Sequence, residues 1–130
     1  MNRVVHFEIQ AENPERAMKF YQSVFGWEFK QWGEQEYWMV MTAPQDSKEP
    51  GINGGLLPRP AKVPPQQSGT NAYVCTVQVA DFDVIAKKIG AAGGIVAMPK
   101  YAFPGMAWQG YFVDTEGNTF GLHQTDPNAK

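Results

Sequence analysis

The chain has 130 residues, of which 43% are hydrophobic and 18% are charged, and its formal net charge is −2. That length fits one domain or two small half-domains that share a core, and the apolar content excludes wholesale disorder. The small net charge argues against a nucleic-acid partner. The one cysteine, Cys75, excludes an internal disulfide and a Cys-based zinc cage. Because no stretch is apolar enough for a membrane span or a leader, we expect no membrane partner and a cytoplasmic protein.

The first part of the chain predicts one strand, one helix and three further strands. Residues 4–10 alternate between apolar and polar side chains, which indicates a strand with one face of each kind. The polar face of this strand holds His6, Glu8 and Gln10. Asn13 and Pro14 predict a helix start, and Gly26 predicts the helix end after an amphipathic stripe. Further strands are predicted at 27–32, 36–42 and 54–58.

A second strand–helix–strand pattern follows a proline-rich segment at 59–71, which is typical of an extended linker. Asp81 predicts the start of a second helix, which runs to about Ala92 and is followed by two glycines. The other elements predicted here are strands at 72–79, from 95, at 107–113 and at 119–124, with a turn at 114–118 before the last. We expect Cys75 to be buried on the helix side of its strand.

The two patterns match in spacing. The helix caps Asn13 and Asp81 lie 68 residues apart, and so do Gly26 and Gly94, which end the helices. This shared offset predicts an internal duplication of a βαβββ unit. We therefore expect one α+β domain over 1–130 in which two βαβββ units, about 1–58 and 72–126, form an eight-stranded curled mixed sheet around a shared cavity, with the helices outside.

Three segments resemble the vicinal oxygen chelate superfamily, which includes glyoxalase I, bleomycin-resistance proteins and extradiol dioxygenases. These segments are VVHFEIQAENPERAMKFYQSVFGWEF at 4–29, Gly54-Gly55-Leu56, and PKYAFPGMAWQGYFVDTEGNTFGLHQTD at 99–126. More narrowly, the chain resembles bacterial proteins described as lactoylglutathione-lyase-related. The resemblance implies a small organic ligand and a homodimer. It does not specify a reaction, because this fold supports several chemistries.

The resemblance also implies four metal-ligand positions. The first falls on His6, the second within 54–57, the third on Val74 and the fourth on Gly121. Valine and glycine side chains donate no lone pair to a metal ion, and 54–57 holds no carboxylate or imidazole. We therefore expect a protein without the family metal site and without a cofactor.

Two functions remain open at this stage. The first is a small-molecule-binding protein of this superfamily, with ligand-binding residues Gln10, Trp38, Thr76, Gln78, Tyr101, Trp108 and His123. The second is a lyase, isomerase or dioxygenase that acts on a small organic substrate with His6 and Glu8 as catalytic residues, because these side chains project from the same strand face. In a metal-dependent version of the second function, His6, Glu8 and His123 would hold a divalent ion.

Overall fold

The computed structural model describes residues 3–66 and 73–130. Its backbone contacts divide the chain into two units, Met1–Val63 and Pro64–Lys130. No helix in the described part of the chain is long and apolar enough to cross a membrane.

The first unit consists of one helix and one four-stranded sheet, sheet 1. Its elements are β1 (Glu8–Ala11), α1 (Pro14–Phe25), β2 (Glu28–Gln31), β3 (Trp38–Met41) and β4 (Gly54–Pro58). The strand order is β1-β4-β3-β2, with β1 parallel to β4 and the other pairs antiparallel. The side chains of Ile9, Phe20, Val24, Val40 and Leu56 are buried and form the core of this unit.

Local sequence signals explain the limits of α1. The Asn13 side chain accepts a hydrogen bond from the Arg16 amide at 3.1 Å, and Pro14 occupies the first turn, where no helical partner for its nitrogen is needed. Gly26 ends the helix with φ of 71°, a left-handed conformation that favours glycine. The predicted start and end of this helix are confirmed.

The second unit repeats this architecture in sheet 2. Its elements are β5 (Thr76–Gln78), α2 (Phe82–Ala91), β6 (Ile95–Phe103), β7 (Ala107–Val113) and β8 (Thr119–Thr125). The strand order is β5-β8-β7-β6, and only the β5–β8 pair is parallel. The Asp81 side chain caps α2 by accepting from the Val84 amide at 3.0 Å. The prediction of two βαβββ units with eight strands is confirmed, and hydrogen bonding groups the strands in two mixed sheets of four.

Three details differ from the sequence predictions or fall outside the described residues. Strand β1 begins at Glu8 rather than at residue 4, because its partner β4 begins only at Gly54. Cys75 is exposed rather than buried, since it precedes the three-residue strand β5. Residues 67–71 of the predicted linker and residue 72 of the predicted strand lie outside the described part of the chain.

Candidate functional site

Each sheet has two faces with different chemistry. Directly paired residues on neighbouring strands point to the same face, and successive residues along a strand point to opposite faces. In sheet 1 the face with buried Val40 and Leu56 packs toward the helix, as does the face of sheet 2 with Phe112 and Leu122. We call the opposite face of each sheet its polar face.

Two predicted residues and one that was not predicted meet on the polar face of sheet 1. The Tyr37 hydroxyl lies 3.0 Å from His6 Nε2 and also hydrogen-bonds the Glu8 side chain. Burial, followed by the hydrogen bond and the charge of Glu8, raises the pKa of Tyr37 above its usual value. The phenol has one proton, and the bond to Glu8 uses it, so His6 completes the arrangement by donating from Nε2–H to the Tyr37 oxygen.

Gly55 provides the space that Tyr37 occupies. It pairs directly with Glu8 and with Met39, and a Cβ built on it would collide with the Tyr37 hydroxyl. The glycine therefore allows the phenol to lie across β4 and reach Glu8. Gln10, a predicted ligand-binding residue, also lies on this face because it follows Glu8 by two positions in β1.

Four polar residues form a row across sheet 2. The register pairs Gln78 with His123, His123 with Gln109, and Gln109 with Tyr101, so all four share the polar face. His123 Nδ1 lies 2.9 Å from Gln109 Oε1. Gln109 has an exposed fraction of only 5%, whereas Gln78 is exposed. Gln109 is not among the predicted ligand-binding residues, although its alternation with Trp108 in β7 fixes its face.

A second row lies beside the first. Thr76 pairs with Gly121, and Gly121 pairs with Tyr111. A Cβ on Gly121 would stand 2.7 Å from Thr76 Oγ1 and 3.0 Å from Gln109 Nε2. Tyr111 hydrogen-bonds Tyr101, and the pKa of Tyr101 is raised by burial first and by this bond second. Thr76, Gln78, Tyr101 and His123, all predicted as ligand-binding residues, are thus neighbours on one surface.

The two predicted tryptophans lie on the helix faces instead. Trp38 pairs directly with fully buried Leu56, which fixes it on the side opposite to Tyr37. Trp108 donates its indole N–H to Asp126 Oδ2 at 2.9 Å, and the Lys100 ammonium lies 4.5 Å from its ring centre. Both side chains therefore point away from the polar residues with which they were grouped, because strand alternation separates them.

The possible metal ligands are divided between the units. His6 and Glu8 belong to the first unit and His123 to the second. Among the described residues, no three His, Cys, Asp or Glu side chains form a group that could hold a metal ion. At the positions implied by the resemblance, the places of further ligands are taken by the segment 54–57, which holds only glycine and leucine, by Gly121 and by the apolar side chain of Val74. The donor set present does not fit a family-type metal.

Comparisons with known proteins agree with this fold. The fold is similar to those of fosfomycin resistance protein FosX from Listeria monocytogenes complexed with Mn(II) and sulfate (15% identity, TM-score 0.73, covering 97% of this chain and 92% of that chain) and of a glyoxalase-related enzyme from Fulvimarina pelagi (16%, 0.66, 95% and 88%). It is also similar to TioX from Micromonospora sp. ML1 (18%, 0.66, 95% and 98%). No curated protein sequence matches the chain.

The sequence itself provides the assignment to a family. The family model of the Glyoxalase/Bleomycin resistance protein/Dioxygenase superfamily matches residues 3–122, which is nearly the whole chain. The chain therefore belongs to the glyoxalase/bleomycin resistance protein/dioxygenase superfamily.

Proposed function

We propose that this protein binds a small organic molecule on the polar face of a sheet and does so without the metal ion of metal-dependent relatives. The observation that carries the proposal is the pair Gly55 and Gly121. Each lies directly opposite the polar residue of its first strand, Glu8 or Thr76, and neighbouring side chains already occupy the space above each glycine.

The chemistry at these positions suits hydrogen bonding rather than coordination. Divalent metals need several oxygen, nitrogen or sulfur donors that converge on one point. At Gly121 the nearest groups are the hydroxyl of Thr76 and the amide nitrogen of Gln109, and an amide nitrogen donates protons but offers no lone pair to a metal. At Gly55 the nearest group is the Tyr37 hydroxyl, which is already engaged by His6 and Glu8.

Metal analysis and a ligand screen test the proposal together. Protein purified without chelators and without a metal-charged resin should contain far less than one Mn, Fe, Ni or Zn per chain. A screen of small organic molecules by thermal unfolding should yield ligands that raise the stability by about 2.7 kcal/mol at a concentration a hundred times their Kd. Stoichiometric metal that is lost in a His6→Ala variant would overturn the proposal.

A second candidate function rests on the bridge formed by Tyr37. Its hydroxyl joins the imidazole of His6 to the carboxylate of Glu8, so the hydrogen bonds fix the position of the Glu8 carboxylate. We propose, as the alternative, that Glu8 acts as a general base on a bound small molecule while Tyr37 and His6 hold the carboxylate in position.

Hydrogen exchange from ligand carbon atoms tests this alternative without knowledge of the product. Each ligand from the screen is incubated with the protein in D₂O and followed by ¹H NMR. General-base catalysis predicts exchange that is lost in Glu8→Gln and retained in Glu28→Gln. Glu28 is a matched control because it is also exposed and lies on the same face of sheet 1, on the edge strand β2. No exchange with the unaltered protein would exclude the alternative for those ligands.

We also propose a homodimer, which the superfamily resemblance implies, and a cytoplasmic location, which the sequence composition favours. Light scattering on the purified chain measures the oligomeric state directly, and a mass equal to one chain at micromolar concentration would exclude a stable dimer. Fractionation of the source cells tests the location.

A further inference from the structure

The strands of the two sheets differ in charge. Of the residues in β5 to β8, Lys100 is the only one that is lysine, arginine, aspartate or glutamate. Its ammonium group lies over the rings of Phe82 and Trp108 on the helix face and pairs with Asp83 at 3.0 Å. The polar face of sheet 2 therefore carries none of these four residue types, whereas Glu8, Glu28 and Lys30 all lie on the polar face of sheet 1.

Gln109 is the buried polar group at the centre of this uncharged face. Its side-chain oxygen is used by His123 at 2.9 Å. Its amide nitrogen Nε2 is directed toward Gly121, beside the hydroxyl of Thr76, and it is not one of the buried side-chain atoms without a partner among the described residues. Nε2 is therefore a hydrogen-bond donor that an acceptor atom of a small molecule can reach on this face.

We propose that the polar face of sheet 2 selects uncharged small molecules with a hydrogen-bond acceptor, such as amides, over organic anions, and that Gln109 Nε2 donates to that acceptor. This inference rests on the proposed small-molecule binding and adds its ligand class. An anion loses its hydration on this surface and finds no lysine or arginine in return, whereas a neutral carbonyl exchanges one hydrogen bond with water for one with Gln109. Tyr101 and Tyr111 offer flat rings beside this donor for a planar ligand.

Three ligands of nearly equal size and different charge test the proposal. Benzamide, benzoate and benzamidinium are titrated into the ¹⁵N-labelled full chain, and the side-chain NH₂ signals of Gln109 are followed by NMR. We expect benzamide to shift these signals and to bind at least about ten times more tightly than benzoate. Equal or tighter binding of benzoate, or saturation by benzamide without a shift at Gln109, would overturn the proposal, as would no binding of benzamide.

Two variants identify the role of Gln109. Gln109→Met keeps the length of the side chain but removes the donor, and should weaken benzamide binding about tenfold while leaving benzoate unchanged. Gln109→Glu should reverse the preference toward benzamidinium. Gln22→Glu adds the same charge at an exposed position of α1 and should leave the order of affinity of the three ligands unchanged. If Gln109→Glu does not fold, the Met variant still decides, and unchanged benzamide binding in it would overturn the role of Gln109.

The proposed function and this inference can fail separately. Stoichiometric metal would overturn metal-free binding without affecting the ranking of the three ligands. Benzamide that binds and shifts signals only in the first unit would support small-molecule binding and overturn the selection by sheet 2.

Discussion

The polar faces of the two sheets share their geometry but differ in chemistry. Glu8 in sheet 1 and Thr76 in sheet 2 both lie opposite a glycine of the neighbouring strand, Gly55 or Gly121. Two positions along, Gln10 pairs with an apolar leucine, whereas Gln78 pairs with His123. The same backbone register therefore presents an acid in one unit and a neutral hydroxyl in the other.

The same contrast holds one strand further. Tyr37 and Gln109 each precede the residue that pairs with a fully buried leucine, Leu56 or Leu122. Tyr37 reaches back over Gly55 to join Glu8, while Gln109 directs its amide toward Gly121. The duplicated fold fixes where side chains stand, and the side chain at each place then decides whether the face handles charge or only hydrogen bonds.

The largest expected effect concerns Gly54. It precedes Gly55 in the first unit, and the residue that precedes Gly121 in the second unit is Phe120. In the first unit the aromatic ring at this place comes from Phe7, which lies over Gly54 together with its own backbone carbonyl. Because a backbone atom cannot swing aside, Gly54→Ala should destabilise the protein by about 1–3 kcal/mol. Chemical denaturation of the variant measures this loss.

Gly90 in α2 provides the control for that substitution. Nothing lies within 4 Å of a Cβ built on it, and it is exposed inside a helix. Gly90→Ala should therefore stabilise the protein by about 0.5–1 kcal/mol, the opposite sign. If Gly54→Ala were as stable as the unaltered chain, the close approach of Phe7 would not require a glycine at position 54.

Much of this comparison was predictable from the sequence because it depends on local signals. Asn13, Asp81 and Gly26 are capping residues whose chemistry acts within one helical turn, and each caps as predicted. Period-two alternation placed β7 at 107–113, and the structure gives Ala107–Val113. The same alternation separated Glu8 from its apolar neighbours and put it on the polar face with Gln10.

The missing parts depend on register between strands that are distant in sequence. Tyr37 lies 31 residues from His6, and only the pairing of β3 with β4 and of β4 with β1 brings them together. The sequence does not reveal the place of Gln109, because its amide lies over Gly121, a residue of a different strand that only the pairing of β7 with β8 brings near. Trp108 was grouped with a ligand surface by its aromatic character, although its own alternation with Gln109 placed it on the other face.

A substitution of intermediate effect removes one hydroxyl from each sheet. Tyr37→Phe loses hydrogen bonds to both His6 and Glu8, whereas Tyr111→Phe loses the bond to Tyr101. Because His6 and Glu8 are exposed and can bond water instead, we expect Tyr37→Phe to cost only about 0.5–1.5 kcal/mol in denaturant unfolding. Tyr111→Phe should cost less, and the reverse order would contradict the central place of Tyr37 on its face.

A smaller effect comes from making sheet 2 resemble sheet 1. Thr76→Glu places a carboxylate at the position equivalent to Glu8, on an exposed part of the polar face. An exposed charge is worth up to about 1 kcal/mol, so benzamidinium binding should improve and benzoate binding should weaken by up to about fivefold. Thr76→Gln adds similar bulk without charge and is the control. If both variants changed the ranking equally, size rather than charge would distinguish the two faces.

The smallest effect separates the helix face of sheet 2 from its polar face. The Asn128 amide, the Trp108 indole and the charge of Lys100 hold the pKa of Asp126 below its usual value of 3.8. A carboxyl with a lowered pKa stabilises the fold fully above that usual value and loses the contribution as the pH falls through the lowered pKa. The Trp108 indole N–H signal should therefore titrate with a midpoint below 3.8, while the Gln109 NH₂ signals, on the opposite face, stay in place. In Asp126→Asn the Trp108 titration should vanish. Concerted movement of both sets of signals would show that the two faces of sheet 2 do not respond independently. It would contradict the assignment of structural contacts to the helix face and of ligand binding to the polar face.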